Sequence, residues 1–591
     1  MLKQTGVRLR SNALRWLLCA PLLLSLPAQA FEHQIGVRGG KRVVANRGLP
    51  NTFNAYLSFE TASSDVIGKM YVGLVATDPI TTDVHPVLAA SWHISPDRRT
   101  YTFKLREGLK WSDGQPLTAE DVVFTYREII NNPDIPNNAR DSLLVEDSFP
   151  DVNQKDRLTV VITTAKPFAP FLRTLHHPIM PKHILQGTTR PKAGEVPFNA
   201  MWDRNADLSK IVVNGPWRPK SYTPGREVVL ERNPHFFRTD KAGNALPYLD
   251  EFVIKASDRN RSNWELFEAG EIDAVSLQSE DYAELMQRKP EDVQVKNLGS
   301  DTGTLFVMFN MSTATDEAGQ QVVDPIKSRW FRNVKFRQAL AHAINKERMI
   351  AEIYRGQATP QYSHVSQQNP FYNANVSRYP YDLKQAARLL TEAGFRRREG
   401  RLFDDQGHLV EFNLVTNQGN RLRDQACQIL SEDWQALGIT VNYIQIPFNH
   451  MVHQLDQTLD WEAMMVGLTG SAVDAHNGIN CWRLDGRMHM FNMGHPSRWT
   501  YGKPTRFEPW EQEVQDLYEQ AAQEFDPVRR KALYFKAQEV VAAHVPMLYT
   551  VNPYSLVAYR EYLGNIAPSI HGGFGLNQIN WNSEYHYIIK E

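Results

Sequence analysis

Residues 412–446 carry the pattern that restricts the fold most: a short strand, a helix and a second strand in close succession. Residues 412–415 and 440–446 have strand character, and residues 423–437 between them have helical periodicity that stops at Gly438. A strand–helix–strand unit is typical of an α/β lobe. Because the chain has 591 residues, it is long enough for more than one domain. The sequence therefore predicts an α/β protein of several lobes.

Local patterns elsewhere predict further strands and helices. Residues 101–105 alternate polar and apolar side chains, which indicates a half-exposed strand. Residues 119–130 have helical periodicity, and Thr118 with Asp121 three positions later forms an N-terminal capping arrangement. Residues 334–354 are predicted to form one long helix. The absence of internal repeats and low-complexity linkers favours a compact body of two or three lobes.

The first thirty residues have the composition of a secretory signal peptide. An apolar run at residues 16–26 is preceded by four cations (Lys3, Arg8, Arg10 and Arg15) and by no acidic residue. A small-x-small motif at residues 28–30 follows, directly before Phe31. A membrane anchor is the alternative, but the run is shorter than the roughly 20 residues that span a bilayer. Leu17 and Leu18 before Cys19 do not match a lipoprotein cleavage signal. We therefore expect a soluble, periplasmic protein cleaved near Ala30.

The net charge restricts the possible binding partners, and the cysteine content restricts the possible disulfides. The net charge of −1 falls to about −5 once the four cations of the signal segment are removed, so a nucleic acid or another polyanion is not an expected partner. Cys427 and Cys481 remain after cleavage and could form one disulfide in an oxidising compartment. A free thiol on the apolar face of the predicted helix at Cys427 is the alternative.

Residues 105–122 carry the string LREGLKWSDGQPLTAEDV, which resembles the signature of family 5 extracellular solute-binding proteins. This family includes the oligopeptide- and dipeptide-binding proteins of ABC importers. Similar pieces follow in the family's order at residues 86–92, 214–217, 232–234, 247–250, 268–273 and 336–345, so the resemblance spans nearly the whole mature chain. Most of these pieces also have a structural explanation as turns and helix caps, so they identify the scaffold and not the cargo.

The resemblance implies a periplasmic-binding-protein type II fold, with two α/β lobes, a hinge and an extra smaller domain. Ligand would lie between the first and third lobes, which close by hinge motion. We expect a monomer that delivers its ligand to an inner-membrane ABC permease, with no cofactor. The implied segments are residues 1–30 for the signal peptide, 31–84, 213–303 and 556–591 for lobe I, 85–212 for the small domain II, and 304–555 for lobe III.

The same resemblance implies where ligand binds. Peptide ligands of the family are held mainly through main-chain hydrogen bonds, as in strand addition. The corresponding positions here are Gly73 and Leu74, with neighbouring Tyr71, in the first lobe, and residues 467–469 (Gly467, Leu468 and Thr469) in the third. The alternative is that both segments are ordinary strand ends.

One departure from the family pattern concerns the ligand's charge. In peptide-binding members, an Asp a few residues after the third-lobe Gly pairs with the α-amino group of the ligand; that position here is Ser471. Asp474 is the nearest carboxylate. Three hypotheses follow: a shifted loop lets Asp474 bind the ammonium, the ligand has no free N-terminus, or Asp474 only caps its own turn.

The loop after Asp474 contains an aromatic residue and several soft-metal donors. Trp482 could stack on a ligand ring or sugar. Met488, His489, Met490, Met493 and His495 suggest a soft-metal site, but their spacing matches no tetrahedral template, so no metal is predicted.

An extracellular hydrolase is the hypothesis from another class. The sequence contains no Gly-x-Ser-x-Gly elbow, no His-Glu-x-x-His motif and no phosphate-binding loop ending in Lys-Ser/Thr. The expectation is therefore a binding protein without catalysis, for peptides or modified peptides, or alternatively for an oligosaccharide, an opine-like conjugate or a metal complex.

Overall fold

The computed structural model describes residues 31–589 apart from residues 47, 59, 138, 146–147, 258–261, 317, 471–472, 487, 494–503 and 574. The predicted signal segment, Ser471 and His495 lie outside the described residues. Within the described part, no helix is both long and apolar enough to cross a membrane.

The strands fall into two groups along the chain. The first group is β1 (Lys41–Asn46), β2 (Val75–Thr77), β3 (Val84–Pro86), β4 (Ala89–Ile94), β5 (Thr100–Leu105), β6 (Asp151–Asp156), β7 (Thr159–Thr163), β8 (Trp217–Thr223), β9 (Glu227–Arg232), β10 (Glu251–Ala256), β11 (Ala274–Ser276) and β12 (Val293–Ser300). The second group is β13 (Thr304–Phe309), β14 (Ala358–Pro360), β15 (Arg396–Arg398), β16 (Arg401–Phe403), β17 (Glu411–Asn417), β18 (Thr440–Ile446), β19 (Ala463–Leu468), β20 (Met547–Tyr549), β21 (Val551–Arg560), β22 (Leu563–Gly564) and β23 (Tyr587–Ile588).

The helices are short in the first half of the chain and longer in the second. They are α1 (Thr61–Met70), α2 (Ala119–Phe124), α3 (Ala139–Leu143), α4 (Phe171–Thr174), α5 (Lys182–Leu185), α6 (Asn263–Glu268), α7 (Ser279–Arg288), α8 (Pro325–Arg332), α9 (Val334–His342), α10 (Lys346–Glu352), α11 (Leu383–Glu392), α12 (Arg421–Gln435), α13 (Phe448–His453), α14 (Pro509–Gln523), α15 (Pro527–His544) and α16 (Asn577–Asn580).

The larger sheets are distributed over the predicted lobes, and some combine strands from different predicted segments. The first lobe contains the sheet β1-β10-β9-β8 and a second sheet, β11-β21-β12, to which β14 adds through β21. Residues 85–212 contain the antiparallel sheet β4-β5-β7-β6. The third lobe contains the mixed sheet β18-β17-β19-β13-β20. Strand β21 runs across the boundary drawn between residues 555 and 556. These sheets confirm the mixed α/β class.

The strand–helix–strand prediction is confirmed in the third-lobe sheet. Strands β17 and β18 pair in parallel, from Glu411 opposite Thr440 to Asn417 opposite Ile446, and α12 connects them. Gly438 has a positive φ of 88°, and a Cβ there would lie 2.7 Å from the carbonyl oxygen of Gly400. A glycine is therefore required where this connection ends.

Two local predictions around helices had different outcomes. The capping arrangement is confirmed: the Thr118 side chain accepts from the Glu120 amide, and the Asp121 carboxylate accepts from the Thr118 amide. The single helix over residues 334–354 is wrong, because α9 ends at His342 and α10 starts at Lys346. Asn345 caps α10, and its own amide donates to Asp433 of α12 (3.0 Å), a partner that periodicity does not reveal.

Two large hydrophobic cores separate the molecule into bodies. One core is built from residues 306–551, within the third lobe, and the other mainly from residues 44–254, shared by the first lobe and the small domain. The chain passes from β12 to β13 near residues 300–304 and returns near residues 549–551. The two crossings touch, because the Asn552 side chain donates to the carbonyl oxygen of Asp301 (2.7 Å). Two adjacent crossings between separate cores are the arrangement that a hinge requires.

Candidate functional site

Strand β19 ends at an open sheet edge. It pairs with β17 only at Ala463 and Met464, but with β13 along its whole length. The carbonyl oxygen of Leu305 in β13 accepts from the Thr550 amide (3.0 Å), so Leu305 directs its main-chain groups to the side of β13 that faces away from β19. Gly467, which pairs with Leu305, therefore directs its own amide and carbonyl away from β13. Within the described residues, no strand pairs with Gly467 on that side.

The residues around Gly467 keep this edge accessible. The Met465 carbonyl, two positions earlier on the same side, accepts from the Thr416 hydroxyl (3.1 Å), where β17 still covers the strand. Thr469, two positions later, is exposed. A Cβ on Gly467 would lie 3.0 Å from the Arg423 guanidinium, which packs over the strand here. The main chain at Gly467 and Thr469 can therefore accept a further extended strand.

At Gly470, which follows β19, the main chain comes close to the main chain at Thr302. A Cβ at this position would lie 1.9 Å from the carbonyl oxygen of Thr302, so only glycine fits. The segment that follows, residues 471–472, lies outside the described residues, and with it the predicted position Ser471.

The first-lobe segment is tied to its surroundings more than the sequence indicated. Tyr71 is buried with its ring stacked on Trp202, and Leu74 is buried with its carbonyl accepting from Val87 (3.0 Å) and Ala89 (3.1 Å). The side chains of Tyr71 and Leu74 therefore belong to the core shared by the first lobe and the small domain.

Gly73 lies against the small domain. A Cβ there would lie 2.4 Å from the carbonyl oxygen of His176 and 2.7 Å from that of His177, and its own carbonyl accepts from Leu88 (3.3 Å). This backbone-to-backbone contact places the 176–177 segment beside the predicted first-lobe site.

His176 lies at the solvent-exposed side of this contact. Its side chain is solvent-exposed, yet desolvation by the surrounding protein lowers its pKa, while a hydrogen bond to the carbonyl of Arg173 acts in the opposite direction. Burial also lowers the pKa of Arg173, and the negative charge of Asp474 in the third lobe opposes this shift. The ring contact between Phe168 and His476 places the small domain beside the third lobe in this region. Sequence reasoning missed Arg173 and His176, which match no motif.

Direct contacts join the small domain to the third lobe. The Ala169 amide donates to the Ala522 carbonyl (2.7 Å), and the rings of Phe168 and His476 meet edge to face at 5.2 Å. Ala522 packs into the core of the first lobe and small domain, although it belongs to α14 of the third lobe. The lobes are therefore in contact in this structure.

Asp474 is fully engaged inside the third lobe. It is 2 % exposed, its Oδ1 accepts from Nη2 of Arg530 (2.9 Å), and its Oδ2 accepts from Nη1 (3.0 Å) and Nη2 (3.1 Å). Oδ1 also accepts from the His476 amide (3.0 Å), so Asp474 is the N-cap of the short 3₁₀ helix Ala475–Cys481. The Asp474 carboxylate thus caps this 3₁₀ helix and is paired with the buried positive charge of Arg530.

A chamber of about 80 Å³, open to solvent, lies beside the end of β19. Its walls all come from the third lobe and include three predicted positions, Leu468, Thr469 and Asp474, and a fourth, Trp482. Trp482 is 2 % exposed, and its ring packs on His364 with centroids 4.5 Å apart. The Trp482 ring is therefore packed within the chamber wall and leaves little of its face free to stack on a ligand.

The Met/His segment packs as core. Met490 and Met493 are buried in the third-lobe core, and His489 is buried with Nδ1 against the Cys481 carbonyl (2.9 Å) and Nε2 3.6 Å from Glu511. The part of the chain that the structure describes contains no cluster of three or more His, Cys, Asp or Glu side chains suited to a metal. Cys427 and Cys481 are free thiols, with the Cys427 sulfur 3.2 Å from that of Met465.

Two separate cores, a double chain crossing between them and an open strand edge are features of two-lobed solute-binding proteins. Residues 83–489, more than half of the chain, match the bacterial extracellular solute-binding proteins, family 5 (middle). The chain belongs to this family of extracellular solute-binding proteins.

Named relatives and solved structures agree with that assignment. A probable ABC transporter-binding protein from Deinococcus radiodurans is 28% identical, with 82% of each chain covered. The fold is similar to that of the oligopeptide-binding protein AppA from Bacillus subtilis in complex with a nonapeptide (TM-score 0.72, 24% identity, 94% of this chain and 100% of that chain). It is also similar to that of the periplasmic binding protein MelB from Agrobacterium fabrum in complex with stachyose (TM-score 0.76, 22% identity, 94% of this chain and 86% of that chain).

Proposed function

We propose that this protein is the periplasmic, substrate-capturing component of an ABC importer and that it binds peptides or modified peptides. The open edge of β19 at Gly467 and Thr469 is the observation that carries the proposal, because it offers main-chain groups to an extended ligand. Affinity from main chain leaves side-chain selectivity broad. The similarity to AppA, which was solved with a nonapeptide, supports the same ligand class.

The proposal includes the cellular route. The signal segment is cleaved near Ala30, the mature protein acts in the periplasm as a monomer, and the loaded form docks on an inner-membrane permease. The protein performs no chemistry on its ligand. Mass spectrometry of the exported protein is expected to find Phe31 as the first residue; an intact first thirty residues would contradict this route.

In the first lobe, the proposed contribution is the main chain at Gly73 and Leu74. The closeness of Gly73 to His176, which is solvent-exposed, supports that position. Tyr71 contributes by fixing this segment through its buried ring and not by touching ligand.

A non-peptide solute is the second candidate, and Asp474 is the observation that favours it. Its charge is already balanced by Arg530, so it is a poor partner for a ligand ammonium. Similarity to MelB, which was solved with stachyose, points the same way. An oligosaccharide, an opine-like conjugate or a metal complex would then replace the peptide.

A backbone substitution tests strand addition. Thr469→Pro removes the main-chain amide directly after the end of β19, whereas Thr469→Ala keeps the amide and removes only the hydroxyl. Both variants and the unchanged protein are exposed to a random mixture of peptides of two to nine residues. Retained peptides are then identified by native mass spectrometry and measured by calorimetry.

The outcomes separate the two candidates. Loss of one main-chain hydrogen bond is expected to weaken peptide binding by roughly three- to tenfold in Thr469→Pro, with a smaller loss in Thr469→Ala. Equal losses in both variants would contradict strand addition. Retention of saccharides but of no peptide would establish the second candidate.

A further inference from the structure

The chamber beside β19 has no net charge at neutral pH. Asp474 is the only carboxylate among its described lining residues, and Arg530 neutralises it through a bidentate pair. Arg530 itself is held between the rings of Phe371 (5.0 Å) and Tyr534 (5.3 Å) and does not line the chamber. The pair is therefore neutral as a unit, with Asp474 in the wall and Arg530 behind it.

The other ionisable groups of the wall are neutral as well. Burial lowers the pKa of His364 to about 3 and raises the pKa of Cys481 to about 12. Burial also raises the pKa of the phenols of Tyr518 and Tyr549 well above their ordinary value. A ligand ammonium or carboxylate that entered would lose its hydration without meeting a counter-charge, at a cost of several kcal/mol.

The wall nevertheless offers hydrogen-bonding groups. The buried Nδ1 of His364 has no hydrogen-bond partner within the described residues, while Nε2 is engaged by the Tyr518 hydroxyl (2.8 Å). Six further side chains add polar atoms to the lining: Thr302, Thr304, Ser366, Asn369, Thr469 and Asn477. A buried, unpartnered ring nitrogen costs free energy unless a ligand or water pairs with it.

We infer that this chamber takes an uncharged, hydrogen-bonding end of the ligand, bearing hydroxyl or amide groups, and rejects a free ammonium or carboxylate. The inference rests on the proposed function, because it concerns the ligand held at the β19 edge, which ends at the chamber. Either a sugar ring or the amino-blocked end of a modified peptide supplies this chemistry.

Matched ligands test the inference on the mature protein, residues 31–591. One random peptide mixture of two to nine residues is offered in two forms, with free and with N-acetylated amino ends, and stachyose is offered as an uncharged saccharide. Retention is measured by native mass spectrometry and affinity by calorimetry at pH 7. We expect the acetylated form to bind at least as tightly as the free form, or the saccharide to be the retained probe.

The outcomes separate the chamber from the proposed function. A tenfold or greater preference for the free-amine form overturns the chamber inference and leaves peptide capture standing. Retention of none of the three probes contradicts both. Preference for acetylated peptide identifies a blocked peptide end, and retention of stachyose alone identifies a sugar end.

A charge placed in the wall provides a second test. Thr304→Asp adds a carboxylate to the chamber, and Thr304→Asn adds a neutral side chain of the same shape. We expect Thr304→Asp to shift the ratio of free-amine to acetylated affinity at least tenfold toward the free amine, with no comparable shift in Thr304→Asn. Equal ratios in both variants, with unliganded melting temperatures showing that both fold, would place the ligand's end outside the chamber and overturn the inference.

Discussion

Asp474 and Arg530 form a bidentate ion pair inside the third lobe, with nitrogen-to-oxygen distances of 2.9 to 3.1 Å. The Arg530 guanidinium also donates to the Ala521 carbonyl (3.1 Å) and the Tyr534 hydroxyl (3.3 Å). The pair joins the start of the 3₁₀ helix at Ala475 to α15 and fixes one wall of the chamber. A carboxylate close in sequence to the strand edge thus has a structural partner 56 residues away.

Removing one charge of this pair should destabilise the fold strongly. Asp474→Asn leaves the buried guanidinium of Arg530 without a counter-charge, so we expect a loss of about 3 kcal/mol in the free energy of unfolding, measured by urea denaturation. Glu268→Gln is the matched control, because Glu268 forms a bidentate pair with Arg288 at the surface (2.6 and 2.7 Å). It should cost less than about 1 kcal/mol. Equal losses in the two variants would contradict the structural role of the buried pair.

Sequence patterns anticipated those features that depend on neighbours in the chain. The cap at Thr118 and Asp121 and the unit β17-α12-β18 follow from spacing within a few residues or from a continuous periodicity, and both are present. The family signature predicted the rest of the fold. A long run of specific residues identifies the family even where the individual residues serve only as turns and helix caps.

The sequence did not reveal those features that depend on partners distant in the chain, although the hypothesis that Asp474 caps its own turn is confirmed. The break between α9 and α10 follows from Asn345 meeting Asp433, and nothing between residues 334 and 354 marks it apart from Asn345 itself. The ion pair of Asp474 depends on Arg530, 56 positions away, and the close approach of His176 to Gly73 joins two residues more than a hundred positions apart in the sequence. Periodicity and spacing carry no information on such pairs, so the ligand chemistry could not be settled from the sequence.

The close approach at Gly73 makes a sharp prediction. Gly73→Ala places a Cβ 2.4 Å from the His176 carbonyl oxygen, and both groups belong to backbone that cannot move aside freely. We expect a loss of about 2 kcal/mol or more in unfolding free energy, together with weaker ligand binding, because the first-lobe segment shifts. Thermal denaturation and calorimetry measure the two effects.

Gly68 is the matched control for that substitution. It lies in α1, is exposed, and a Cβ there would meet nothing within 4 Å. Gly68→Ala should therefore raise the unfolding free energy by about 0.5 to 1 kcal/mol, since alanine favours the helix. Loss of stability in Gly68→Ala, or none in Gly73→Ala, would contradict the packing described for these two positions.

Both cysteines of the mature chain should remain reduced. Cys427 is buried beside Met465, and burial raises the pKa of both thiols, to about 12 for Cys481. A protein exported and purified without reductant is expected to release two reactive thiols per chain on unfolding in guanidinium, measured with Ellman's reagent, and to react slowly when folded. A sample pretreated with dithiothreitol gives the reference count. Zero reactive thiols in the unfolded, unreduced sample would establish a disulfide.

Asp404 should make stability depend on acid pH. Burial alone would raise its pKa, but hydrogen bonds from the Trp330 indole (3.0 Å) and from His408 and Gln406 outweigh that effect and lower the pKa to about 2. Because the unfolded carboxylate titrates near 3.8, the stabilisation is fully present above about pH 4 and is lost as pH falls toward 2. At neutral pH it amounts to about 2 kcal/mol.

The comparison of the unchanged protein with Asp404→Asn measures this contribution directly. We expect the unchanged protein to be more stable at pH 7, and the difference in unfolding free energy to shrink by about 1 kcal/mol between pH 5 and pH 3, because protons then bind the unfolded carboxylate more than the folded one. Urea denaturation followed by tryptophan fluorescence at each pH gives the difference. A difference that stays constant over this range, or grows as the solution becomes more acidic, would show that the hydrogen bonds at Asp404 do not hold its pKa down.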